Sequence, residues 1–159
     1  MNPVALKTEI QTGPLAVELA PHLASGNDTA IADALNEHRG ETMLRERFVS
    51  ARSILAFYPD GPAAAAVVLD KLEAAGASVP AVKWVMTFLK TDGIDIGSAA
   101  TQAMLDQLAA GGALTSDEAA KLKSLGHAPA SRAEIVLGQV VSANDVARAV
   151  RNDDGSNKL

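Results

Sequence analysis

Three helix-start signatures follow one another in the last third of the chain: Thr115-Ser116-Asp117-Glu118, Ser131-Arg132-Ala133-Glu134 and Ser142-Ala143-Asn144-Asp145. In each, a hydroxyl precedes a carboxylate by three positions. At a helix start the hydroxyl oxygen accepts from an orphan backbone amide, and the acidic side chain reaches back to the amide of the capping residue. The spacing therefore predicts three short helices, with Leu122 and Leu125, Ile135 and Val136, and Val146 and Val150 as their buried positions, punctuated by Gly126, Pro129 and Gly138.

The same signals divide the rest of the chain. Asn2 before Pro3 has the cap-then-first-turn order of a helix start, with Leu6 and Ile10 four apart and a stop at Thr12-Gly13. Pro14 restarts a helix carrying Leu15, Leu19 and Leu23, which Pro21 is expected to kink or end. Asn27 caps a third helix with Ala30, Ile31, Ala34 and Leu35 inward, stopping at Gly40. Phe48, Ala51 and Leu55 keep helical spacing through the charged stretch Glu41 to Arg52, so an exposed helix is expected there. Tyr58-Pro59-Asp60-Gly61-Pro62 is a turn, and Ala63 to Ala75 a helix of small residues closed by Gly76. Val79 to Lys90 carries two apolar stripes, one of Val82, Val85, Met86 and Leu89 and one of Trp84 and Phe88, which marks it as the core helix with neighbours on both sides. Residues 91–97 are a loop or a short extended piece, and Ser98 starts a helix with Ala100, Met104, Leu105 and Leu108 inward, ending at Gly111-Gly112.

These elements predict an all-α fold: a single compact domain of about seven to nine short-to-medium helices over residues 1–151, with a polar, flexible tail at 152–159. The 159 residues suffice for one real core. Aromatics make up only 3% of the chain and alanine supplies much of its apolar content, so helices are expected to pack closely.

Composition narrows the chemistry. A net charge of −5 opposes an electrostatic grip on nucleic acid. The chain has no cysteine, which removes disulfides, thiolate zinc sites and cysteine nucleophiles. Met1 to Lys7 has no basic stretch leading into an apolar run, and the longest greasy run, Pro62 to Leu69, is too short to cross a bilayer, so neither a secretory signal nor a membrane span is expected.

Candidate reactive groups do not assemble along the sequence. His22, His38 and His127 are never paired at metal-ligand spacing, and Asp92-Gly93-Ile94-Asp95 lacks the remaining ligands of a calcium loop and reads as a turn. There is no phosphate-binding glycine loop and no nucleophile elbow. No catalytic, cofactor-binding or metal-binding residue is assigned, and an enzyme is not expected. Arg39, Arg45, Arg47 and Arg52, interleaved with Glu37, Glu41 and Glu46, form an ion-paired helix face or a contact surface for an acidic partner. Trp84 and Phe88 are aromatics of the kind that anchor a partner, but their helical spacing places them in the core. Ser131 to Arg151 imitates a DNA-reading helix-turn-helix, but Asp145, Asp153 and Asp154 oppose Arg148 and Arg151.

Both ends of the chain resemble a group of small uncharacterised proteins encoded by tailed bacteriophages. The likeness lies in Leu6-Lys7-Thr8-Glu9-Ile10, Thr12, Pro14-Leu15 and Ala34-Leu35-Asn36 at the front, and in Ser131-Arg132-Ala133-Glu134 and Asp145-Val146-Ala147-Arg148-Ala149 at the back. Where that group carries an aspartate before the proline and a Gly-Tyr pair after it, this chain has Gly13 and Ala16-Val17. The resemblance implies a non-enzymatic structural or assembly component of a virion, and transfers no site. On that basis the expected partners are other virion proteins, in several copies around a symmetry axis, in the tail in preference to the head. The expected contact residues are Asn2, Pro3, Arg45, Arg47, Phe48 and Arg52, together with the 152–159 tail. The alternative is a small helical regulatory or DNA-binding module.

Overall fold

The computed structural model describes residues 1–152 and 155–157. In chain order its elements are α1 (Pro3–Thr12), α2 (Ala16–Ser25), α3 (Asp28–Asn36), β1 (Thr42–Leu44), β2 (Phe48–Val49), α4 (Ala51–Phe57), α5 (Pro62–Gly76), α6 (Pro80–Lys90), β3 (Ile94–Asp95), α7 (Ala99–Ala110), α8 (Ser116–Ser124), β4 (His127–Pro129), α9 (Arg132–Leu137) and α10 (Ala143–Val150). The described residues are thus mostly helical but not all-α, because β1 pairs with β4 and β2 with β3 in two two-stranded sheets. The helices number ten among the described residues, above the seven to nine expected. Segments as short as α4 and α9 hold as helices on reciprocal caps, Ser50 with Ser53 and Ser131 with Glu134.

All three hydroxyl-to-carboxylate signatures are capping boxes in the structure, at Thr115/Glu118, Ser131/Glu134 and Ser142/Asp145. Two expectations require correction. Residues 41–50 are extended where a helix was expected, because backbone partners lie ready: Phe48 pairs with Asp95 and Val49 with Ile94 in antiparallel register. The helix starts only at Ala51, after Ser50. Pro21 does not end α2 but sits inside it, and the helix begins at Ala16, after the turn at Gly13-Pro14-Leu15, with the Leu19 amide donating to the Leu15 carbonyl at 2.9 Å.

The chain divides into two compact units, residues 1–43 with 129–159 and residues 44–128. The first unit is assembled from both ends of the chain. Leu6 and Ile10 of α1, Ile31 and Leu35 of α3, and Val146 and Val150 of α10 form its core. Polar links tie the terminal helices to the front of the chain. Arg132 Nε donates to Glu9 Oε1 at 2.7 Å, Arg151 Nη2 to Asp28 Oδ1 at 2.6 Å, and Asn36 exchanges two hydrogen bonds with the Val141 backbone at 2.7 and 2.9 Å. Of the 152–159 tail, Asn152 and residues 155–157 turn back, the Asn152 amide donating to the Ser156 carbonyl at 2.7 Å. The remaining tail residues lie outside the described ones.

The second unit is contiguous. Its core is aliphatic except for Tyr58 and runs from Val49 and Ile54 through Val68, Leu72, Val82, Met86 and Leu89 to Leu105 and Leu122. A Cβ on Gly76 would lie 3.3 Å from the Lys83 backbone, so this glycine lets α5 and α6 meet closely.

Candidate functional site

In the second unit, residues 45–49 are an extended arm threaded against two loops. The Arg45 amide donates to the Gly126 carbonyl at 3.0 Å, and the Ile96 amide donates to the Arg47 carbonyl at 2.9 Å. Asp95 closes the crossing, its Oδ1 accepting from the Arg47 amide at 2.8 Å and the Gly97 amide at 3.0 Å. Asp95 Oδ1 thus serves backbone amides, and Ile94–Asp95 is a two-residue strand within the stretch expected to be a loop or a short extended piece. Glycine makes the close approach possible: a Cβ on Gly97 would collide with the Arg45 carbonyl, and one on Gly93, at φ +85°, would lie 2.9 Å from the Val49 carbonyl oxygen. Gln102, buried on α7, braces the same loops by donating to the Ile96 carbonyl at 2.7 Å.

The arm holds three of the six expected contact residues, Arg45, Arg47 and Phe48, and Arg52 follows it in α4. Phe48 is 63% exposed, whereas its neighbour Val49 is buried. The Arg47 guanidinium donates to the Leu125 carbonyl at 2.9 Å and lies 5.9 Å from the centroid of the Phe57 ring, so it anchors the arm and lines an aromatic face at once. Arg45 and Arg52 are exposed, Arg52 in the first turn of α4. Asn2 and Pro3 belong to the first unit. The Asn2 side chain caps α1, accepting from the Val4 amide at 3.0 Å and the Ala5 amide at 3.3 Å, and Pro3 fills the first helical position.

The aromatic side chains overturn one expectation. Trp84 is 63% exposed and Phe88 46%, where helical spacing had placed both in the core. Phe57 is exposed as well. The buried face of α6 is filled by Val82, Met86 and Leu89, while Ala81, Trp84 and Phe88 on its far side are exposed. Trp84 and Phe88 stack on each other, ring centroids 6.5 Å apart and tilted by 32°. On another side of α6, along its seam with α5, a groove of about 360 Å³ is lined by Glu73, Gly76, Lys83, Met86, Thr87 and Lys90. Periodicity located this stripe, but nothing along the chain told which of its two faces the core would take.

The shifted ionisable groups have structural causes. Lys71 and the Thr115 amide hold the Glu118 carboxyl below the usual carboxylate range, and Ser142 does the same for Asp145. Burial pushes the Tyr58 phenol up. His38 Nε2 lies 3.3 Å from Glu134 Oε2. Among the described residues, no three His, Asp or Glu side chains are grouped so as to hold a metal ion, and no helix is long and apolar enough to cross a membrane.

Comparison with protein-family models, with curated proteins and with solved structures yields no match. The motifs that carry the phage resemblance all fall in the first unit. There Glu9 of the front motif pairs with Arg132 of the back one, and Leu6, Leu35 and Val146 share a core. Residues 44–128 contain none of them.

Proposed function

We propose that this protein is a non-enzymatic structural component of a tailed-bacteriophage virion, acting in several copies by docking onto other virion subunits. One observation carries the docking part of the reading. Of five aromatic side chains, only Tyr58 is buried, while Phe48, Phe57, Trp84 and Phe88 lie exposed on the second unit. Aromatics supply the largest apolar area per side chain and dominate interface energetics, so a fold that spends aliphatics on its core and aromatics on its surface has kept its best anchors for a partner.

The phage context comes from the resemblance, whose motifs close together into the framework of the first unit. Arg45, Arg47 and Arg52 beside Phe48 suit a partner surface with acidic groups at its rim. Mass spectrometry of purified phage particles from the source tests the proposal. The protein is expected to co-sediment with intact particles at a reproducible copy number. Its absence from particles, with retardation of a DNA fragment at low salt, would replace this reading with the regulatory one.

A further inference from the structure

The first unit is built from two stretches of chain that the second unit separates. Residues 1–43 supply α1, α2 and α3, and residues 129–151 return with α9 and α10. The joint between the stretches is made of side-chain contacts. Val141, Val146 and Val150 of the returning stretch share a core with Leu6, Ile31 and Leu35 of the front one. Around that core, Arg132 donates to Glu9 at 2.7 Å and lies 3.5 Å from Glu41. Arg151 donates through Nε and Nη2 to Asp28 at 3.0 and 2.6 Å, and through Nη1 to the Leu23 carbonyl at 2.9 Å. Charge matches across the joint: residues 1–43 hold six acidic and two basic side chains, whereas 129–151 hold three basic and two acidic ones, and both arginine anchors are on the returning side.

Each side of the joint carries its own local signals. Capping boxes inside the returning stretch start α9 and α10, and Asn2 and Asn27 inside the front one cap α1 and α3, so these helices take no cap from across the joint. Between the two stretches, residues 44–128 hold a separate aliphatic core. The contacts of the joint therefore do not require that both stretches belong to one chain. The returning stretch of a second copy offers the same valines and arginines to the same partners. Closure within one chain has the advantage of effective concentration, on the order of millimolar for linked segments, and crowding of copies on an assembly offsets that advantage.

From this arrangement we infer that residues 129–151 are an exchangeable segment, which joins copies of the protein by occupying the α1 and α3 face of a second copy. Reciprocal exchange between two chains makes a two-fold dimer. Exchange passed from copy to copy is head-to-tail and makes a ring where the rotation closes. The inference goes beyond the virion reading, and neither depends on the other.

The test is complementation between two full-length variants that each spoil one side of the joint. Leu6→Asp places a charge on the front side and Val146→Asp on the returning side, both at fully buried positions. Alone, each variant is expected to lose the cooperative urea transition of the first unit and to keep that of the second. Unfolded together and refolded as an equimolar mixture, they should form a heterodimer in which the intact front stretch of the Val146→Asp chain holds the intact returning stretch of the Leu6→Asp chain. The mixture should then regain the first-unit transition at about half the wild-type amplitude, because one of the two joints in each pair is sound. A second measurement needs no variant: wild-type chains refolded over a concentration series and sized by chromatography with light scattering should show a linked species whose share rises with concentration. A mixture that behaves as the sum of its separate variants, or wild-type chains that stay monomeric across the series, would overturn the inference. Particle mass spectrometry is read separately, since a protein present in particles whose segments never exchange leaves the virion reading standing without this joint.

Discussion

At the scale of single residues, Glu118 does two jobs with one carboxylate. It accepts from the Thr115 amide at 2.8 Å, closing a capping box, and from Lys71 Nζ at 2.7 Å, joining α8 to α5. Because its folded pKa is depressed, the stabilisation it provides is fully present above the ordinary carboxylate range and is lost as pH falls through the depressed value. Glu118→Gln is expected to lower stability by about 1 kcal/mol near neutral pH, with the deficit vanishing once the wild-type carboxyl is protonated. Urea unfolding at neutral and acid pH measures both. Gly97 constrains the arm differently, since any Cβ there meets the Arg45 carbonyl. Gly97→Ala should cost roughly 1–3 kcal/mol in urea unfolding through overpacking, since both groups in collision are backbone-bound and neither can rotate away. The caps were legible along the chain because hydroxyl and carboxylate are local partners. The Gly97 crossing was not, because the atom it avoids lies fifty-two positions earlier.

At the scale of elements, helices with their own start and stop signals appear where the sequence placed them. Asn2 caps α1 and Gly13 ends it, Asn27 caps α3, Gly61 precedes α5, and Ser98 caps α7. The segment 41–50 departs because its Phe48, Ala51 and Leu55 spacing straddles two structures, a strand paired with Ile94–Asp95 and a helix that begins at Ala51 behind the cap Ser50. Strand pairing draws on hydrogen-bond partners remote in sequence, which local periodicity does not encode. Pro21 persists inside α2 because Leu19 is buried in the core of the first unit, so tertiary packing overrides a local penalty. Replacing Pro21 with alanine restores a donor to that helix and is expected to stabilise the protein by roughly 1–3 kcal/mol. The midpoint of thermal or urea unfolding checks it.

At the scale of the whole molecule, the first unit needs both termini and the second needs neither. Residues 44–128 hold their own aliphatic core, from Val49 to Leu125, within one continuous stretch. The fragment 44–128 is therefore expected to fold alone, giving helical circular dichroism and cooperative urea unfolding. Removing residues 129–159 takes Ala133, Val146, Ala149 and Val150 from the other core and leaves Glu9 and Asp28, of α1 and α3, without their arginines. That truncation should cost the first unit its cooperative transition, because a carboxylate stripped of a partly buried partner adds its desolvation penalty to the lost apolar burial.

The amino-acid sequence by itself determined where most helices begin and end and the existence of a second apolar stripe on α6. Those features depend on neighbours within one helical turn. Tertiary structure alone decided that Trp84 and Phe88 face outward, that residues 45–49 are a strand-like arm, and that the two ends of the chain close into one unit around Glu9 and Arg132. Each of these turns on which of several chemically adequate surfaces finds a partner far away in sequence, and a helix with two apolar faces buries whichever one the remaining elements reach.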